Sequence, residues 1–268
     1  MPSRVLFTFP GKIGDALHQW PIARQWAEEN DTQIEVGLSA KIQPLAGLLL
    51  KQPYVSRLHL LPGITSDDVG GQPWDFGWKA DKKEWDEVFH LGFRDFPREG
   101  LMRHVYERAG VPLKASFEDV WSQPSIEPFW VGPVGNLPCV LHGNKARPSY
   151  YKALVKCLPV ISKTFDPLCW AGSADEWPLG ADFKGNGLPL ETVAEHIAHC
   201  ALVFAASSSI AALAGAQGAP CLRIGEPHLI PQAIWDNPTS MQYQTSGDAL
   251  AELKRVIREA PWQAKVLA

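Results

Sequence analysis

From Arg4 the chain reads "RVLFTF", an apolar run broken by a single hydroxyl, then "GKIGD", then "DALHQWPIARQWAEEN", in which apolar residues recur every three or four positions. That succession predicts a strand, a tight turn and a helix. The alternation continues. "QIEVGLS" predicts a second strand, "KIQPLAGLLLKQ" a helix, "VSRLHLLP" an extended segment, "WDEVFHLGF" another strand, and "REGLMRHVYERAG" a helix ended by Gly110. Residues 63 to 84 are polar and glycine-rich, the pattern of a long loop able to fold over a site. Strands alternating with helices imply a parallel sheet covered on both faces.

Residues 122 to 138, "SQPSIEPFWVGPVGNLP", carry no periodicity and are rich in proline and glycine, which places a boundary there. The pattern then restarts with "CVLHG" (strand), "SYYKALVKCLPVI" (helix), "DPLCWAGS" (strand and exit turn) and "LETVAEHIAHC" (helix). "ALVFAA" (strand), "SSIAALAGAQG" (helix), "PCLRIG" (a last strand) and "SGDALAELKRVIREA" (helix) complete it. The expected architecture is α/β, with two Rossmann-like domains, residues 1–125 and 126–268, facing across a cleft.

The 268 residues, 46% of them hydrophobic, suffice for two such domains with separate cores. A net charge of -4 gives no general attraction to nucleic acid. No apolar run approaches the ~20 residues of a membrane span, and the start of the chain lacks a leader pattern, so a cytoplasmic protein is expected. The five cysteines are odd in number and form no CxxC pair, which predicts reduced, packed thiols. His196 and His199 are spaced to share a metal but have no third ligand nearby, so they read as helix-surface residues, and no metal or cofactor is expected.

In open parallel sheets, ligands bind beyond the carboxyl ends of the strands. Four turns fall there: "PGKIGD", "HGNKARPS", "AGSADEW" and "ASSS". The first reads GxxGD rather than GxGxxG, which disfavours a nicotinamide or flavin enzyme. Asp15 either caps its helix or does chemistry. Asn144, Lys145, Arg147 and Ser149 open a helix with two cations, suited to a phosphate or else a solvated basic loop. Ser207, Ser208 and Ser209 supply one helix cap or, together, an anion cradle. Trp20 and Trp26 read as core. Trp74, Trp78 and Trp85 border the long loop, where they either stack on a sugar or base or form a surface cluster. Asp67 and Asp68 read as solvated loop residues.

The order of these motifs resembles the heptosyltransferase-like glycosyltransferases of family 9. "RVLFTFPGKIGDALHQWPIARQW" is similar to their opening strand, Gly-Asp turn and proline-bearing helix. "WDEVFHLGF" stands where they carry a Tyr-Asp-x-Val-hydrophobic-Asp-Leu strand, and "CVLHGNKARPSYYKALVKCL" resembles the first strand and phosphate turn of their second domain. "WAGSADEW" and "LPLETVAEHIAHCALVFAASSSIAALAGAQGAPCLRIGEP" follow their later glycine turn and closing motif. The resemblance implies a GT-B fold and an inverting, metal-independent sugar transfer from a nucleotide-diphosphate donor to a carbohydrate or glycolipid acceptor. Asp15 would be the catalytic base. Asn144, Lys145, Arg147, Gly172, Ser173, Ser207, Ser208 and Ser209 would bind the donor, and Lys12 and His18 would contact acceptor or phosphate. Peripheral membrane contact is compatible with this, nucleic acid is not a partner, and the acceptor the family suggests is a heptose on lipopolysaccharide. In the closing motif the family has Asp or Asn, Ser or Thr, Gly, two variable residues and His; the run from Ser207 to Ala212 matches only at Ser208. That departure keeps open a non-catalytic nucleotide- or sugar-binding protein of the same fold. A sugar-nucleotide 2-epimerase and a nicotinamide-dependent oxidoreductase are further alternatives.

Overall fold

A computed structural model describes residues 3–9, 11–61, 82–91, 137–143, 148–166, 168–172, 190–206, 208–217, 219–224, 240–243 and 248–259. They fall into two compact units.

The first unit runs β1 (Val5–Phe9), α1 (Ile13–Glu29), β2 (Ile34–Ser39), a 3-10 segment (Ala40–Leu45) leading into α2 (Ala46–Leu50), β3 (Val55–Leu61), a 3-10 turn (Lys82–Glu84) and β4 (Glu87–His90). Its described strands are all parallel, in the order β3-β2-β1-β4. Every residue of β1 and β2 is buried, the reason both read as near-continuous apolar runs. Phe7 stacks on Phe89 at 4.6 Å, and Trp26 of α1 closes over both at 5.8 and 5.5 Å. Trp20 is fully buried against Phe9 and donates its indole N–H to the Tyr54 hydroxyl.

At the amino end of this sheet, Glu35 collects four hydrogen bonds. Arg4 donates through Nε (2.8 Å) and Nη2 (3.1 Å), His59 Nε2 lies at 2.6 Å, and Trp85 Nε1 donates at 3.1 Å. Trp85 is 5% exposed and lies beneath the Arg4 guanidinium, so it is a packed structural residue, neither a surface aromatic nor a sugar platform.

The second unit runs β5 (Cys139–His142), α3 (Pro148–Thr164), β6 (Leu168–Trp170), α4 (Leu190–His199), β7 (Leu202–Ala206), α5 (Ser209–Ala216), β8 (Cys221–Ile224), β9 (Ser240–Tyr243) and α6 (Ala249–Glu259). The sheet is again parallel, in the order β6-β5-β7-β8-β9. On one face, Leu141, Phe204, Leu222 and Ile224 pack with Leu154, Cys157 and Ile161 of α3 and Leu253 and Val256 of α6. All five cysteines are free and buried, as packed thiols should be.

Three departures from the sequence reading have local causes. The helix expected over "KIQPLAGLLLKQ" becomes a 3-10 segment plus five helical residues, because Ile42 leaves helical geometry (φ -109°, ψ 23°) just ahead of Pro44. Among the described residues of "WDEVFHLGF", the strand runs from Glu87 to His90. The strand β9 was not expected at all; its four residues are too few to show a period, yet they complete the edge beside β8. The expected helix at 98–110, most of the loop at 63–84 and most of the linker at 122–138 lie outside the described residues. Among the described residues, no helix is long and apolar enough to cross a membrane.

Candidate functional site

Each unit brings polar side chains to the carboxyl end of its sheet. In the first, the turn after β1 is forced by Gly11, whose φ of 104° is costly for any residue with a Cβ. Lys12, extended and exposed, is the residue on which α1 begins. Asp15 occupies the first turn, where its Oδ2 accepts the Lys12 backbone N–H at 2.8 Å. The capping role anticipated for it is therefore real. Burial pushes the Asp15 carboxyl above its ordinary pKa, against the opposing pull of the Lys12 N–H and the Lys12 charge. Beside this turn, Thr8 Oγ1 lies 2.9 Å from His90 Nδ1, joining the carboxyl ends of β1 and β4.

In the second unit, Ser208 directly precedes α5, and its carbonyl accepts the Ala212 N–H at 3.1 Å. Its Oγ lies 3.1 Å from His142 Nδ1 at the end of β5. The His142 ring lies nearly parallel to the Trp170 indole, with centroids 6.3 Å apart. Trp170 is fully buried and held by two glycines. A Cβ on Gly143 would come within 2.9 Å of Leu154 and 3.1 Å of Trp170, and one on Gly172 within 2.8 Å of the same indole. Gly172 therefore has a packing reason to lack a side chain. Ser209, the first residue of α5, is half-buried.

Of the other residues singled out in the sequence, His18 lies on α1, and Asn144, Lys145, Arg147, Ser173 and Ser207 lie outside the described residues, as do Trp74, Trp78, Asp67 and Asp68. His196 of α4 is 1% exposed, so it is a core residue and not a surface one. Among the described residues no three His, Cys, Asp or Glu side chains converge as a metal site. Four polar residues escaped the sequence reading: Thr8, His90, His142 and Arg223. Thr8, His142 and Arg223 are each the lone polar position in an apolar strand, "VLFTF", "CVLH" and "CLRI", and His90 ends the strand "EVFH" after two apolar residues; those interruptions were the available signal.

No protein-family model matches the sequence, and no curated protein matches it. Solved structures do. Residues spanning 87% of the chain superpose on the iron-containing dodecameric glycosyltransferase TibC from enterotoxigenic E. coli H10407, with a TM-score of 0.63 and 15% identity. The fold is that of the heptosyltransferase-like glycosyltransferases. A family 9 glycosyl transferase from Veillonella parvula DSM 2008 aligns over 96% of this chain and 89% of its own, with a TM-score of 0.60 and 12% identity. The E. coli ADP-heptose lps heptosyltransferase II aligns over 96% and 99%, with a TM-score of 0.57 and 14% identity. Against TibC, the chain spans 62% of the partner's length. In this heptosyltransferase-like fold the two strand-end clusters, Asp15 with Thr8 and His90, and Ser208 with His142, stand where a parallel sheet presents its ligand-binding edge.

Proposed function

We propose that the protein is a glycosyltransferase that moves a sugar from a nucleotide-diphosphate donor to an acceptor hydroxyl, with inversion and without a metal. The observation that carries this reading is Asp15: a carboxylate at the Gly-Asp turn of this fold, with its pKa raised by burial. A base tuned upward takes a hydroxyl proton more readily near neutral pH. Asp15 would accept the acceptor's proton while the acceptor oxygen bonds to the anomeric carbon and the bond from that carbon to the diphosphate oxygen breaks. The departing diphosphate would be held by Asn144, Lys145, Arg147, Ser207, Ser208, Ser209 and the backbone amides that open α5. Gly172 and Ser173 would flank the nucleotide, and Lys12 and His18 would face acceptor or phosphate. The acceptor is a carbohydrate or glycolipid, reached from the cytoplasm with at most peripheral membrane contact. The structurally similar E. coli protein is an ADP-heptose lps heptosyltransferase, which makes ADP the first nucleotide to test.

A non-catalytic nucleotide- or sugar-binding protein is the second reading, favoured by the engagement of Asp15 Oδ2 as a helix cap. Calorimetric or thermal-shift titration with ADP, UDP and GDP and their sugar conjugates tests the binding. A ligand at 100 times its Kd should add about 2.7 kcal/mol of stability. Lys145→Ala is expected to lose that shift. Asp15→Asn should keep it while turnover falls by roughly 10²–10⁴-fold, and wild-type kcat/KM should rise with pH through a pKa above the ordinary carboxylate value. Full turnover in Asp15→Asn would remove the base from the mechanism. No shift with any nucleotide would remove the glycosyltransferase reading.

A further inference from the structure

Arg223 lies on β8 and is 9% exposed. Its Nε and Nη2 are enclosed and have no hydrogen-bond partner among the described residues. A guanidinium stays charged in proteins, so a buried one needs an anion. Here burial lowers its pKa, against a smaller opposing pull from the Cys221 sulfur, and no carboxylate among the described residues pairs with it. By strand alternation Arg223 points away from Leu222 and Ile224, which belong to the α3 and α6 core.

The register places Arg223 beside Ala205 of β7, and Ala205 beside His142 of β5. Only a methyl group therefore stands between Arg223 and His142 in that row, with their Cα atoms about 10 Å apart across two strand spacings. His142 reaches Ser208 at 3.1 Å, and α5 packs on β7 and β8, so the row runs toward the opening turn of that helix. Helix geometry leaves the first-turn N–H groups of Ser209, Ile210 and Ala211 without partners inside α5, and Ser208 Oγ beside them is turned to His142. These opening amides and the Arg223 guanidinium thus belong to the same end of the same sheet.

We infer that Arg223, with the opening amides of α5, Ser208 and His142, forms an oxyanion subsite that holds a phosphate group of the donor. This rests on the reading that the second unit binds the donor, and it adds a positioning residue that reading lacks. The guanidinium fork would pair with two phosphate oxygens while the helix amides take a third. Among the described residues nothing compensates this buried charge in the unliganded protein, so ligand binding would relieve a cost already built into the strand.

The test uses the full chain, wild type, Arg223→Met and Arg223→Lys, titrated with inorganic pyrophosphate, ADP and adenosine, with melting curves of each unliganded protein. Wild type is expected to bind pyrophosphate and ADP, with adenosine far weaker. Arg223→Met should weaken pyrophosphate and ADP by at least about tenfold, the scale of one charge-assisted pair, and leave adenosine unchanged. Arg223→Lys, with its charge but no fork, should fall between. The unliganded Met variant should melt no lower than wild type. Unaltered pyrophosphate and ADP binding in Arg223→Met would overturn the inference and leave the donor reading standing. Unfolding or depressed melting in both variants would overturn it too, since the guanidinium would then be structural. If wild type bound ADP but not pyrophosphate, the phosphate subsite would fall alone. If it bound no nucleotide, the donor reading would fall with it.

Discussion

Glu35 and Asp15 are carboxylates at opposite ends of one sheet, and their surroundings push them in opposite directions. Burial alone would raise Glu35, but hydrogen bonds from Arg4, His59 and Trp85 outweigh it and hold the carboxyl at about 2. Asp15 accepts one described backbone N–H, and burial wins. The signs have separate consequences. A carboxylate whose pKa drops on folding adds stability above its unfolded value of 4.5, and that stability is lost as pH falls through 4.5 toward about 2. Glu35→Gln is therefore expected to cost roughly 1–3 kcal/mol at neutral pH and to flatten the acid limb of the stability curve. Circular-dichroism melts from pH 7 to pH 2 check it; an unchanged acid limb would show that Glu35 is not the linked group. None of this was legible in "QIEVGLS", because the partners of Glu35 come from segments 31 residues before it and 24 and 50 residues after it. Asp15 was legible, since its cap and its turn lie within four residues.

At the scale of elements, what the sequence showed was periodicity, and what it hid was short or broken. The strands β1, β2, β5, β7 and β8 and the helices α1, α3, α4, α5 and α6 all announced themselves. Strand β9, with four residues, and the 3-10 turn into α2 did not, because neither completes a repeat. The candidate site shows the same division. Turns at strand ends were readable from local sequence, whereas the cross-strand row of His142, Ala205 and Arg223 exists only through register. The β6 exit carries its own prediction. A methyl group at position 172 would press on the indole of Trp170 at 2.8 Å, so Gly172→Ala should destabilise the protein by about 1–3 kcal/mol through overpacking. Denaturant titration measures that. Wild-type stability in this variant would mean that the indole swings aside at little cost, and the His142 ring stacked beside it would then be free to shift as well.

For the whole molecule, the alternation of strands and helices forecast parallel α/β structure, and both described sheets are parallel throughout. Composition bounded the rest: a mildly acidic chain of 268 residues, with no membrane-spanning helix among the described residues. Long-range pairing dominates, since β1 adds β4 in a register that joins Val5 to Glu87, and β5 adds β7 in one that joins Cys139 to Leu202. Such topologies close large loops before contacts reward them and fold slowly. The distribution of cysteine makes this process observable. All five thiols lie between residues 139 and 221, each buried in the native second unit, and residues 1–138 contain none. A thiol-specific alkylating reagent is therefore a stopwatch that one half of the chain carries and the other does not. Mass added per cysteine over time would record which strands of β5, β6 and β8 open first, and how often, without any engineered label.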